Sequence, residues 1–128
     1  MKWEQPHGIY CKFFDSLSVS EVYGALIKSA MDPNFANLRY RIFDYVNVTE
    51  LIIRPNDMEV IKALCDVQDF DAPPRVNASI AAPDSEIREH WQYWARINAD
   101  AADRIGLFTG EIEARTWIAT HPLLDRSV

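Results

Sequence analysis

Four times along this chain, a segment whose apolar side chains recur at every second position gives way to one where they recur at every third or fourth. A period of two places alternate residues on opposite faces of a strand, and a period near 3.6 gathers them on one side of a helix. Four strand–helix units in series predict an α/β fold of order βαβαβαβα. The expected architecture is a mainly parallel four-stranded sheet backed by helices, because adjacent parallel strands require right-handed crossovers.

The first unit opens with residues 8–14 (GIYCKFF), rich in β-branched and aromatic side chains, and the Asp15-Ser16 pair behind them predicts a turn. Ser18 and Glu21 have capping-box spacing, and Val19, Val22, Tyr23, Leu26, Ile27 and Ala30 form the apolar stripe of the helix that follows. Asp32-Pro33-Asn34 stops it. In the second unit, residues 38–46 place Leu38, Tyr40 and Ile42 on one face and Arg39, Arg41 and Phe43 on the other. Asn56 is the expected cap of a helix over residues 56–68 carrying Val60, Ile61, Leu64 and Cys65 inward, and residues 69–74 read as a loop. The third unit alternates Val76, Ala78, Ile80 and Ala82, then sets Ile87, Trp91, Trp94 and Ala95 on one face of a helix over residues 85–99. The fourth is a short strand over residues 105–108 and a helix over residues 110–120 presenting Ile112, Ala114, Trp117 and Ile118, ended by His121-Pro122.

A chain of 128 residues has the size of one domain, able to bury roughly two-thirds of the surface its unfolded form exposes. Its formal net charge of -6 argues against nucleic acid as a partner, since phosphate backbones are bound by clustered Lys and Arg. Arg39 and Arg41, the nearest approach to a cluster, are expected to be solvated edge charges. Cys11 and Cys65 lack CxxC spacing and the opening residues hold no apolar signal segment, which predicts a reduced, cytoplasmic protein. No run approaches the ~18 apolar residues of a membrane-spanning helix.

Certain stretches resemble the SpoIIAA-like (STAS-like) family, in its branch of short stand-alone bacterial members. They are His7-Gly8-Ile9-Tyr10, Asp32-Pro33-Asn34-Phe35, Leu38-Arg39-Tyr40 with Ile42-Phe43-Asp44, Arg75-Val76-Asn77-Ala78 with Ala81-Ala82-Pro83, and Leu107-Phe108 followed by Glu113-Ala114-Arg115-Thr116-Trp117-Ile118. The resemblance implies one sheet backed by helices, as in anti-anti-sigma factors, sulfate-transporter cytoplasmic domains and, more distantly, lipid-carrying Sec14-like domains. It also implies a phosphorylatable hydroxyl at the second helix. Residues 47–57 hold no Asp-Ser-Ser triplet there, and Thr49, the nearest hydroxyl, reads as a β-branched residue at a strand end.

Catalytic signatures are missing from the sequence. His7, His90 and His121 lie in separate segments and outside any GxSxG, and four glycines cannot supply GxGxxG or a P-loop. The His and Cys residues never fall at metal-ligand spacing, so neither metal nor cofactor is expected. Asp66, Asp69 and Asp71 read as a solvated acidic run, and both cysteines as small buried hydrophobes.

Two features exceed what folding needs. His90, Trp91, Tyr93 and Trp94 place four rings within five residues, so Trp91 and Trp94 are expected to face the core and His90 and Tyr93 a flank. Leu51-Ile52-Ile53 is an apolar run in the expected second loop, fit for a lid or a docking surface. The expected rim at the carboxyl ends of the strands is residues 15–18, 44–56, 83–86 and 109–111. These seven side chains are the candidate surface, and three functions follow: a non-catalytic regulatory module that binds a protein partner or a second copy, a carrier of a small apolar or lipid-like ligand, and an unrecognised enzyme.

Overall fold

The structure, a computed structural model, describes residues 1–4 and 7–124. The chain is α/β. Its strands are β1 (Lys2–Glu4), β2 (Gly8–Ser18), β3 (Tyr40–Ile52), β4 (Val76–Ile80) and β5 (Ile105–Phe108). The helices α1 (Val19–Ala30), α2 (Pro55–Asp69), α3 (Glu86–Ile97) and α4 (Glu111–Ala119) each follow one of the last four strands. These form one five-stranded sheet in the order β1-β2-β3-β4-β5, in which β2 to β5 are parallel.

Register decides what each side of the sheet carries. Ile9, Arg41, Asn77 and Ile105 pair across one row and share a face, while Tyr10, Ile42, Ala78 and Gly106 pair across the next row and share the other. On the first face Ile9, Cys11, Phe13 and Leu17 bury against Val22 and Leu26 of α1 and Ile61 of α2, with Trp94 of α3 packed alongside. The second face is covered by α4, whose Ala114 and Ile118 meet Ile42, Val76, Ala78 and Ile80. Both faces therefore exclude water over the centre of the sheet, which is why β4 reads as almost continuously buried.

The sheet is mixed, not all parallel, because β1 adds an antiparallel edge with Trp3 opposite Ile9. Three residues carry no period to read. What holds them is a tertiary contact: both Glu4 carboxylate oxygens accept from Arg115 of α4, at 2.9 and 2.7 Å, and Oε1 also accepts from the Tyr40 hydroxyl at 2.7 Å. Arg115 beside it holds the Glu4 carboxyl below its ordinary range, against the opposing effect of burial.

Other expectations are corrected in detail. Asp15 and Ser16 do not turn the chain. They lie inside β2, where Asp15 takes a left-handed φ of 57° and the register to β3 slips on both sides of it. A bulge absorbs the irregularity, and Asp tolerates that backbone better than most residues. Ser18 does precede α1, yet it stays extended, pairs with Ile52 and makes no capping bond through its side chain. The cap of α2 is Arg54 rather than Asn56. Pro55 supplies a preset φ at the first position and Asp57 accepts from the Arg54 amide at 2.9 Å, so half of a capping box forms two residues earlier than expected.

Three apolar stripes are narrower than their spacing suggested. Val60 and Ile112 are exposed, Ile112 at 83%, because each lies two positions from a buried residue of its helix, Met58 and Ala114, and i,i+2 neighbours do not share a face. Tyr23 and Ile27 are likewise more than one-third exposed on α1.

Arg41 overturns its expected solvation altogether. It is 1% exposed, on the face covered by helices, and Asp69, the last residue of α2, is its counter-charge. Arg39 is half-buried, donating to the carbonyls of Pro74 and Leu123.

Candidate functional site

Pairing between β3 and β4 stops at Asp44 and Ile80, whereas β2 and β3 stay paired as far as Ser18 and Ile52. The two long strands thus run beyond the sheet as a ribbon, and residues 15–18 and 44–52 belong to it rather than to rim loops. With α1, α2 and α3 packed on the same side, the ribbon and the sheet border a largely apolar cavity of about 90 Å³ that is half open to solvent. Leu17 of β2, Phe43, Tyr45 and Leu51 of β3, and Ser79 of β4 form its floor and one wall. Met58 and Ile61 of α2 face Ile87, His90, Trp91 and Trp94 of α3 across it.

Five of the seven singled-out side chains converge here: Leu51, Ile53, His90, Trp91 and Trp94. The other two do not. Leu51 and Ile52 end β3 instead of lying in a loop, so strand alternation turns Ile52 away from Leu51 and leaves it 56% exposed. Leu51 is consequently part of the strand wall rather than a lid, while Ile53 lies just past the end of β3, in the connection to α2 where a loop was expected. Tyr93 points to the seam between helices, where its hydroxyl donates to Glu59 of α2 at 3.0 Å and Arg96 lies 5.4 Å from its ring centre. Leu17, Ser79 and Asn77 were missed as lining residues, and strand parity was the signal for them, since residues 77 and 79 occupy the face opposite Ala78 and Ile80.

Few polar atoms meet the cavity. Asn77 accepts from Arg41 at 3.2 Å. His90 Nδ1 lies 2.9 Å from the Glu86 carbonyl, and a carbonyl only accepts, so Nδ1 carries a proton and donates it there. The Trp91 indole nitrogen is shielded from solvent and has no hydrogen-bond partner among the described residues. An orphaned N–H of this kind costs roughly 1–3 kcal/mol.

Chemistry in the cavity is limited by its neighbours. Cys65 lines it, but burial pushes the thiol up to about 11, and Cys11 beneath the same helices is pushed up to about 11 by the same cause. His90, Ser79 and Cys65 share the lining without a carboxylate among them. His121, by contrast, is enclosed near the end of α4: Nε2 sits 2.6 Å from the Asp103 carbonyl and Nδ1 accepts from the Leu123 amide at 3.1 Å. Among the described residues no group of three His, Cys, Asp or Glu side chains is placed to hold a metal ion.

Below the cavity lies the main buried ion cluster. Asp69 Oδ1 is 3.2 Å from Arg41 and 2.9 Å from Arg75. Arg75 also donates to the carbonyls of Leu38, Gln68 and Phe35, and stacks on the Phe35 ring at 4.3 Å. The acidic run is therefore not a solvated loop at Asp69. On the opposite face the Tyr10 hydroxyl donates to Asp44, and burial together with that carboxylate raises the phenol above its ordinary range.

The thiols make stability depend on alkaline pH. An unfolded cysteine ionises near 9.0, whereas Cys11 and Cys65 stay protonated to about 11 in the fold. Their contribution is complete below pH 9 and disappears as pH rises through 9 to 11, by up to ~2–3 kcal/mol for each thiol. Urea titrations at pH 7, 9 and 10.5 should show falling midpoints, and Cys65→Ala should flatten the decline.

No protein-family model matches the chain, and neither a curated protein nor a solved structure does. No described helix is long and apolar enough to cross a membrane.

Proposed function

We propose that this chain is a non-catalytic binding module of the SpoIIAA-like kind, a carrier or sensor of a small, mainly apolar molecule held between the sheet and α3. The observation behind this reading is the cavity itself, with apolar walls, two tryptophans and one indole N–H left without a partner. Its size selects the ligand class. A dry apolar cavity of ~150 Å³ takes up benzene, and drug-sized pockets run to roughly 300–1,000 Å³. At about 90 Å³ and half open to solvent, the site accepts a slim chain of about six or seven heavy atoms, and a whole lipid acyl chain only if α3 moves away.

Helices gathered against one sheet, with sequential parallel strands, support the SpoIIAA-like assignment, which is part of the proposal. Two free cysteines support a reducing, cytoplasmic setting. A second reading, a regulatory module that docks a protein partner or a second copy, is favoured by Met31, Val67 and Phe70. They are exposed at the carboxyl ends of α1 and α2, Phe70 at 83%.

The test uses 1-hexanol as probe. Calorimetry should report one site with a Kd on the order of 1 mM, the strength open to so few atoms. Ser79→Leu, which fills the floor, should abolish the heat while far-ultraviolet circular dichroism stays unchanged. Hexanol failing to bind the unmodified protein would overturn the reading.

A further inference from the structure

We infer that this chain carries a second binding site, separate from the apolar one, for a neutral molecule that both donates and accepts hydrogen bonds, such as a small carboxamide. The site is a mainly polar cavity of about 210 Å³ bordered by α2, α3 and the amino ends of β4 and β5. It is roomier than the ~150 Å³ that admits benzene. Trp94, Pro74 and Ile105 give it apolar surface, and it shares Cys65, Asn77 and Trp94 with the first cavity.

Two side-chain amides in the lining define what it takes. Asn98, just past the end of α3, is 8% exposed, and its Nδ2 donates to the Trp94 carbonyl at 2.8 Å. A carbonyl only accepts, so the amide is fixed and Oδ1 is left as an acceptor without a partner among the described residues. Oδ1 is not sealed away, because the fully shielded side-chain atoms that lack partners among the described residues are Arg41 Nε and Trp91 Nε1. With so little of Asn98 open elsewhere, Oδ1 meets the cavity that the residue lines. Asn77 has the opposite polarity. A guanidinium only donates, so the Asn77 oxygen takes the 3.2 Å bond from Arg41 and Nδ2 is a donor with no described partner.

Charge gives neither sign a claim. Among the described residues the lining holds three carboxylates and two arginines. Asp66 is taken by Lys62 at 2.9 Å, and Asp69 lies between Arg41 and Arg75. Arg75 has its donors on Asp69 and on the carbonyls of Leu38, Gln68 and Phe35. The remaining pair, Asp100 and Arg104, are of opposite sign and both exposed. What stays unmatched is one neutral donor and one neutral acceptor.

Benzamide, benzoate and benzamidinium share one shape and differ in the head, which respectively donates and accepts, only accepts, or only donates. By calorimetry at pH 7, benzamide should bind about tenfold more tightly than either ion, because each ion leaves one of the two amides facing a like partner. Asn77→Asp keeps the oxygen that Arg41 needs but replaces the donor with a second acceptor, so it should make benzamidinium the preferred ligand. Ser79→Leu, which fills the first cavity, should leave benzamide binding in place. Either ion matching benzamide, an order unchanged in Asn77→Asp, or benzamide binding lost in Ser79→Leu would overturn the inference, as would the failure of all three probes to bind.

Discussion

Asp69→Asn is expected to remove about 3–5 kcal/mol of stability, a large part of the 5–15 kcal/mol that holds a typical domain. Asparagine keeps the shape and one acceptor oxygen, but withdraws the charge that two guanidinium groups share. Arg41 and Arg75 have side-chain exposures of 1% and 2%, so solvent cannot replace it. Asp69 itself is 29% exposed, which argues for the lower end of that range. Arg41→Met should cost less, because it leaves one arginine facing one carboxylate and substitutes an apolar chain of similar length. Urea unfolding of both variants checks the order. An Asn variant within 1 kcal/mol of the parent would mean that Asp69 does not hold the arginines in place.

Leu17→Ala is the second large effect, with an expected loss of ~3–4 kcal/mol. Leu17 is fully buried at the point where β2 leaves the sheet, and it forms part of the cavity wall. Removing three carbons there enlarges an existing space that the ribbon, fixed by its pairing to Leu51, cannot collapse into. The variant should therefore gain affinity for a wider probe such as benzene while losing thermal stability. A loss below 1 kcal/mol would show that the ribbon relaxes into the gap.

The parallel strands and four helices were legible because each repeats a period over enough residues to be read, and the aromatic face of α3 was legible for the same reason. What escaped notice was set by distant partners. β1 is three residues tied down by Arg115 from the far end of the chain. Arg41 alternates like a surface residue, and only the strand register and the last turn of α2 show that both faces of β3 are covered. Leu51 and Ile52 were selected as unusual yet placed in a loop, because Asp15 resembles a turn signal and the polar residues Asn47, Thr49 and Glu50 resemble loop composition. A bulge kept β2 going, and pairing with β2 kept β3 going as well. Composition cannot distinguish an exposed ribbon from a loop when one of its edges lacks a neighbouring strand.

The most direct measurement is a proton–nitrogen correlation spectrum of the tryptophan indoles during titration with 1-hexanol. Four tryptophans give four indole signals, of which Trp91 and Trp94 line the cavity while Trp3 packs under β2 and Trp117 lies on α4 against Phe108. Saturable shifts of the Trp91 and Trp94 signals, with Trp3 and Trp117 unmoved, are the predicted result. Four signals that stay still, or that all drift in proportion to added alcohol, would contradict a ligand site between the sheet and α3.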